Sequence, residues 1–162
     1  MKDGQLEDLD FEILEVLFRD GRKAYKNIAD ELGKNHLTIK KHMDELEEAK
    51  IIKNYSINID YEQMDLNIIA LIEITIDKGK MIEVEKDIAK NPNIFGVYDV
   101  TGEYDAIILA RFKTRQELSE LVKKINSYEY VIRTNTHLIL NIIKEGTDFA
   151  RLFKNKIKKT NE

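Results

Sequence analysis

The stretch that decides the fold is IADELGKNHLTIKKHMDEL, residues 28–46. Ile28, Ala29 and Leu32 fall on one face of a short helix, and Gly33 follows where a tight turn favours a residue without a side chain. Asn35 fits an N-cap, its side-chain oxygen able to accept from an exposed backbone amide, and Ile39, Met43 and Leu46 share one face of the next helix. Upstream, Leu6, Leu9, Ile13 and Leu17 recur at helical spacing as far as Asp20-Gly21, where the glycine is expected to take the left-handed turn that ends a helix. Three short helices with a glycine turn before the third predict a helix-turn-helix. Downstream, Ile57 and Ile59 alternate with Ser56, Asn58 and Asp60, so residues 51–60 are expected to form a strand serving as wing and linker.

The remainder reads as a second small domain. Residues 68–76 form an apolar strand run, and Met81, Val84 and Ile88 mark a helix that Asn91-Pro92-Asn93 ends. Residues 95–101 and 104–112 read as strands joined by a two-residue turn at Gly102-Glu103, with Gly102 at positive φ. Leu118, Leu121, Val122 and Ile125 mark another helix, and residues 131–143 a long last strand with Ile132, Leu138, Leu140 and Ile142 on one face. The order βαββαβ is the ferredoxin-like arrangement, giving an α+β chain in which helices cover one sheet face. Ile68, Ile69, Ala70, Leu71 and Ile72 are apolar on both faces, so the bare face calls for a second subunit. Boundaries follow: 1–52 winged helix-turn-helix, 53–65 strand and linker, 66–145 βαββαβ, 146–162 a basic tail. In that tail Asp148 can cap a helix carrying Phe149, Leu152, Phe153 and Ile157 among Arg151, Lys154, Lys156, Lys158 and Lys159. The first expectation for it is packing against the dimer, the second a frayed tail, the third contact with phosphates or a membrane surface.

Composition narrows the classes. With 162 residues and 43% hydrophobic content the chain can bury two small cores. No apolar run is long enough to span a bilayer and the first ten residues are mostly polar, so a soluble, cytoplasmic protein is expected. The absence of cysteine removes disulfides and thiolate chemistry, and with three histidines (His36, His42, His137) a metal centre would need carboxylates. The net charge of −4 argues mildly against a polyanionic partner. Residues 19–41, however, carry seven positive and three negative charges, and this basic stretch coincides with the helix-turn-helix. Acidic residues flank it at 7–15 and 44–48.

Several separated segments together resemble the Lrp/AsnC, or feast/famine, family of transcriptional regulators up to about Glu145. They are Leu9-Asp10 with Ile13 and Leu17; Asp20-Gly21-Arg22; Ile28 through Gly33; Thr38-Ile39 with Met43; Leu46-Glu47-Glu48; Ile51 through Tyr55; and Val97 through Asp105, VYDVTGEYD. There are departures. Asn35 stands where the family has a capping serine, Ala24 where a serine commonly caps the second helix, His42 in place of an arginine, and Lys50 in place of the glycine closing the third helix. The histidine puts a phosphate contact in doubt, and Lys50 is expected to cost some capping stability.

What the resemblance implies is sequence-specific binding of double-stranded DNA by a homodimer that assembles further to a tetramer or octamer. A recognition helix enters the major groove by its N-terminal residues, so Asn35, His36, Thr38, Lys40 and Lys41 are the candidate contacts, with Arg22 and Lys26 on the phosphate backbone. Leu37 either meets a thymine methyl or folds inward. The bland alternative is a solvated charged helix face. The resemblance also implies an amino-acid effector, held between neighbouring dimers by Tyr98, Gly102, Glu103, Tyr104 and Asp105 facing Thr134 and Thr136. Amides around a positive-φ glycine can cradle a carboxylate and an aspartate can pair with an ammonium; the alternative is a tight turn with a structural aspartate. No cofactor, metal or catalytic residue is expected. Two rivals remain: an interaction module without DNA binding, favoured by the acidic flanks, and a tetrapyrrole enzyme. The siroheme decarboxylases are similar in sequence and architecture, and the candidate tetrapyrrole ligands here would be His137, Arg111, Arg115 and Arg133.

Overall fold

The computed structural model describes residues 5–77 and 79–157 and divides the chain into two compact units. The described residues up to 58 together with those from 145 onward form a helical unit, and those between 59 and 144 a sheet unit.

In the helical unit, α1 (Asp8–Arg19), α2 (Tyr25–Leu32) and α3 (His36–Glu48) enclose Ile13, Val16, Ile28, Ala29, Ile39, Met43 and Leu46. Each aliphatic side chain so buried contributes about 1.5–3 kcal/mol. Two local devices set the path between α2 and α3. Gly33 sits in the left-handed region at φ 62°, and the Asn35 side chain accepts a 2.8 Å bond from the Leu37 amide. The expected glycine ending of α1 is corrected: Gly21 is not at positive φ. The Asp20 carboxylate turns the chain instead, accepting from the Arg22 amide at 3.1 Å, while its own amide closes on the Val16 carbonyl.

A second correction concerns residues 51–60, which contain no strand. Alternation gives a segment two faces, but strand structure requires a ladder partner, and this chain supplies none there. Ile57 is accordingly 73% exposed.

The sheet unit has β1 (Ile68–Ile76), α4 (Met81–Ile88), β2 (Ile94–Asp99), β3 (Ala106–Phe112), α5 (Arg115–Asn126) and β4 (Val131–Ile139). All pairs are antiparallel in the order β2-β3-β1-β4, the split βαβ topology the sequence order predicts. Ala70, Ile72 and Ile74 of β1 and Ala106, Ile108, Ala110 and Phe112 of β3 meet Val84 and Ile88 of α4 and Leu118, Leu121 and Ile125 of α5. The opposite face carries Leu71, Glu73 and Thr75 in register with Leu109, Ile107, His137, Asn135 and Arg133.

Two strand limits differ from expectation. β4 stops at Ile139 rather than residue 143 because its last partner is Ile69, near the start of β1. The β2–β3 connection is not a two-residue turn: the ladder ends at Asp99↔Ala106, and a Val100 amide bond to the Asp105 carbonyl leaves residues 101–104 as the loop.

After β4 the chain rejoins the helical unit. Asp148 caps the one-turn α6 (Phe149–Leu152), accepting from the Arg151 amide at 3.1 Å. Phe153 meets Phe11 at 5.1 Å between ring centroids, and Phe149 meets Phe18 at 5.9 Å. This tail packs on α1 of its own chain; Lys158 and Lys159 lie outside the described residues.

Candidate nucleic-acid interface and effector hairpin

α3 presents the first site. Its buried stripe of Ile39, Met43 and Leu46 fixes the rotation, leaving Asn35, His36, Leu37, Thr38, Lys40 and Lys41 exposed along one side. Arg22 and Lys26 are exposed in the preceding turn and on α2. The seven residues expected to touch DNA therefore all reach solvent on the helical unit. Leu37, 73% exposed, does not fold inward.

Electrostatics temper that face. Lys40 donates to Asp44 at 3.4 Å and Lys41 lies 3.7 Å from Glu45, both one turn along the helix. Such exposed pairs are worth only a few tenths of a kcal/mol, so either lysine can exchange its carboxylate for a phosphate. Arg19 and Lys23 instead converge on Glu31, tying the end of α1 to α2, and the Lys23 hydrogen bond holds the Glu31 carboxyl below its ordinary range.

His42 is not at the surface. It is buried, and its Nδ1 lies 2.6 Å from Oδ1 of Asp10, a carboxylate wholly withdrawn from solvent. The other Asp10 oxygen accepts from the Glu7 amide at 2.7 Å. Asp10 thus joins the start of α1 to the middle of α3, a link between residues 32 positions apart that helical periodicity does not reveal. Tyr55 adds a surface tie, its hydroxyl donating to Glu47 at 2.7 Å; burial and that carboxylate push the phenol up.

The second site is the hairpin. Gly102 adopts φ 135°, and Glu73, Asp99, Val100, Thr101, Glu103, Tyr104 and Ile107 line an open depression beside it on the uncovered sheet face. Arg133 reaches from β4, bonding Glu103 at 2.8 Å with its guanidinium 4.9 Å from the Tyr104 ring centre. Asp105 spends Oδ2 on the Ile76 amide at 2.8 Å, beside the register shift in β1. Its visible work is structural. Tyr98 stands on β2, exposed, at the opposite edge of the sheet from β4. Thr134 and Thr136 pair with Ile74 and Ile72, the helix-covered rows, and Thr134 bonds Asn126 of α5. Within one chain they do not meet the hairpin.

Glu73 and Asp99 line the depression without having been singled out from sequence. A signal existed: Glu73 interrupts the apolar run IIALIEITI on the uncovered face, where it accepts from Asn135 at 2.8 Å and lies 3.0 Å from His137. The His137 and Asn135 contacts hold its carboxyl below the ordinary value. The four tetrapyrrole candidates do not converge: His137 pairs with Glu73, Arg133 with Glu103, Arg111 lies between the Tyr61 and Phe95 rings, and Arg115 opens α5 on the covered side.

An asparagine-capped helix with an exposed polar edge, in a chain that also carries a ferredoxin-like sheet unit, is the architecture of a helix-turn-helix transcriptional regulator with a ligand-binding module. Residues 6–53 match the family model for a winged helix-turn-helix DNA-binding domain, and residues 69–149 that for the Lrp/AsnC ligand binding domain. The chain is 38% identical over 141 residues to an uncharacterised HTH-type transcriptional regulator of Pyrococcus horikoshii, covering 87% of this chain and 95% of that protein. It is 34% identical to the HTH-type transcriptional regulator FL11 of Pyrococcus furiosus, over 90% of this chain and 96% of that protein. A transcriptional regulator of Neisseria meningitidis, solved in complex with L-methionine, superposes with a TM-score of 0.81 at 25% identity, covering 88% of this chain and 95% of that one. The chain belongs to the Lrp/AsnC family and is a DNA-binding transcriptional regulator. No helix among the described residues is long and apolar enough to cross a membrane.

Proposed function

We propose that this regulator reads its operator through the N-terminal half of α3, with Asn35, His36, Thr38, Lys40 and Lys41 at the major groove, where the two lysines meet both base edges and flanking phosphates, and Arg22 and Lys26 on phosphates. The observation that carries the reading is the burial of Ile39, Met43 and Leu46 directly beneath that exposed edge, which holds the donors on a rigid support. Each lysine–phosphate contact releases counterions, so the logarithm of affinity falls with the logarithm of salt by about 0.9 per contact. Lys40→Ala/Lys41→Ala should weaken operator binding and lower that slope by about two; fluorescence anisotropy across a salt series measures both, and an unchanged slope would remove the assignment.

The reading includes a homodimer, assembling to a tetramer or octamer, acting in the cytoplasm where its DNA partner lies. It assigns no catalytic role. For regulation, a free amino acid or related small molecule binds at the hairpin, using the Gly102 region for its carboxylate and the acidic side chains beside it for its ammonium. Glu73, Asp99 and Glu103 support this better than Asp105, whose Oδ2 is spent on the backbone. Tyr104 already lines the depression, whereas Tyr98, Thr134 and Thr136 enter such a site only if neighbouring subunits contribute them. The L-methionine complex of the Neisseria protein makes free amino acids the first class to test. A calorimetric screen of the common amino acids against the assembled protein tests it: saturable heat for at least one is expected, and silence across the set would leave the hairpin as a structural turn.

A further inference from the structure

The family match ends at residue 149, whereas the described chain continues to residue 157 on the helical unit. This added segment is amphipathic in space as well as in sequence. Phe149 and Phe153 pack 4.8 Å apart and reach Phe18 and Phe11 of α1, while Arg151, Lys154 and Lys156 are exposed. Phe149 also borders a groove with Ile51, Ile52 and Lys53, the residues that follow the recognition helix.

The helical unit has a deficit that such a segment offsets. Residues 5–58 carry nine positive and twelve negative charges, an excess of three negatives on the part of the protein that must approach a polyanion. Residues 148–157 carry three positives and one negative. Anchored cations lose less freedom on meeting phosphates than cations on a loose tail, so fixing the arm to α1 raises their contribution to binding.

We propose that residues 148–157 are a cationic arm, clamped to α1 by Phe149 and Phe153, that contacts the phosphate backbone of the duplex held by α3. The contact is sequence-independent, because lysine ammonium groups on phosphates position a protein without reading bases. Arg151 is partly committed to Asp148 at 3.2 Å, so Lys154 and Lys156 carry the prediction.

The test is Lys154→Gln/Lys156→Gln in the full chain, titrated against an operator duplex and a random duplex over a salt series. Both substitutions lie on exposed side chains, and an unchanged thermal transition verifies that the helical unit is intact. The expected result is an equal fractional loss of affinity on both duplexes and a salt slope lower by about one to two per bound arm. Lys40→Ala/Lys41→Ala in the same titration should instead lose more on the operator than on the random duplex, which keeps the arm and the recognition helix distinguishable. Unchanged affinity and slope in the arm variant would overturn the proposal and leave the segment as a hydrophobic cover for α1; a loss confined to the operator would overturn it as well. So would an unchanged DNA slope accompanied by loss of binding to vesicles rich in anionic lipid, which would assign the cations to a membrane surface.

Discussion

Lys50 closes α3 at φ 56°, a left-handed conformation that costs a side-chain-bearing residue about 1 kcal/mol or more. Its side chain is exposed, so nothing in the packing repays that cost. Lys50→Gly should therefore raise stability by about 0.5–1 kcal/mol, visible as a higher midpoint in urea; a lower midpoint would mean that the unfolded-state entropy of glycine outweighs the relieved strain. Glu85 on α4 stores a different cost. Its Oε1 is buried without a hydrogen-bond partner, and burial, followed by the charges of Asp99 and Asp105, pushes its carboxyl above the ordinary range. A carboxyl raised in the folded state contributes stability that is fully present below the unfolded pKa and is lost as pH rises through the folded value. Glu85→Gln should thus be more stable than the parent near neutral pH, by up to about 1 kcal/mol, with the advantage fading toward about pH 4. Denaturation midpoints at the two pH values decide it, since an equal gain at both would refute the charge explanation.

Between elements, the Asp10–His42 contact joins α1 to α3 inside an otherwise apolar core. Removing one partner leaves the other buried without its bond, so His42→Ala should destabilise the helical unit by about 1–3 kcal/mol, read from its thermal transition. An effect within a few tenths would show that water replaces the imidazole. The same contact marks the limit of what the chain discloses one-dimensionally. Gly33 and Asn35 were legible because a left-handed turn and an N-cap are decisions made within two or three residues. The βαββαβ order was legible because apolar periodicity changes from 3.6 to 2 at each boundary. The Asp10–His42 pair was not, because nothing local distinguishes a buried polar partner from a surface one. Alternation at 51–60 encodes two faces without naming a ladder partner, so it does not by itself make a strand. The loop at 101–104 is longer than the turn Gly102-Glu103 suggests, because the β2–β3 ladder ends at Asp99↔Ala106 and the Val100 amide closes on the Asp105 carbonyl. The exposure of the seven residues proposed to meet DNA follows from the motif, because the buried stripe of α3 fixes which side reaches solvent. The acidic lining of the hairpin depression was not, since Glu73 joins it only through the register of β1 with β3 and β4.

At the scale of the molecule, the single chain leaves apolar surface that a folded protein does not normally present to water. Ile132 is 66% exposed on edge strand β4, and Leu140 and Ile143, just beyond its last paired residue, are 87% and 94% exposed. An edge strand bordered by such residues is an adhesion hazard unless another subunit covers it, and closed symmetric pairing is the commonest way to do so. The proposed homodimer would also serve the DNA reading, because paired recognition helices one helical turn apart engage half-sites that neither binds tightly alone. Ile132→Glu/Leu140→Glu places two carboxylates on that surface and should drive the assembly toward smaller species in sedimentation velocity while leaving the monomer fold intact by circular dichroism. Operator affinity should then fall far more than affinity for a random duplex, because the loss is of paired half-sites rather than of phosphate contacts. A variant that sediments as the parent does would overturn the placement of the proposed subunit interface on β4 and its extension.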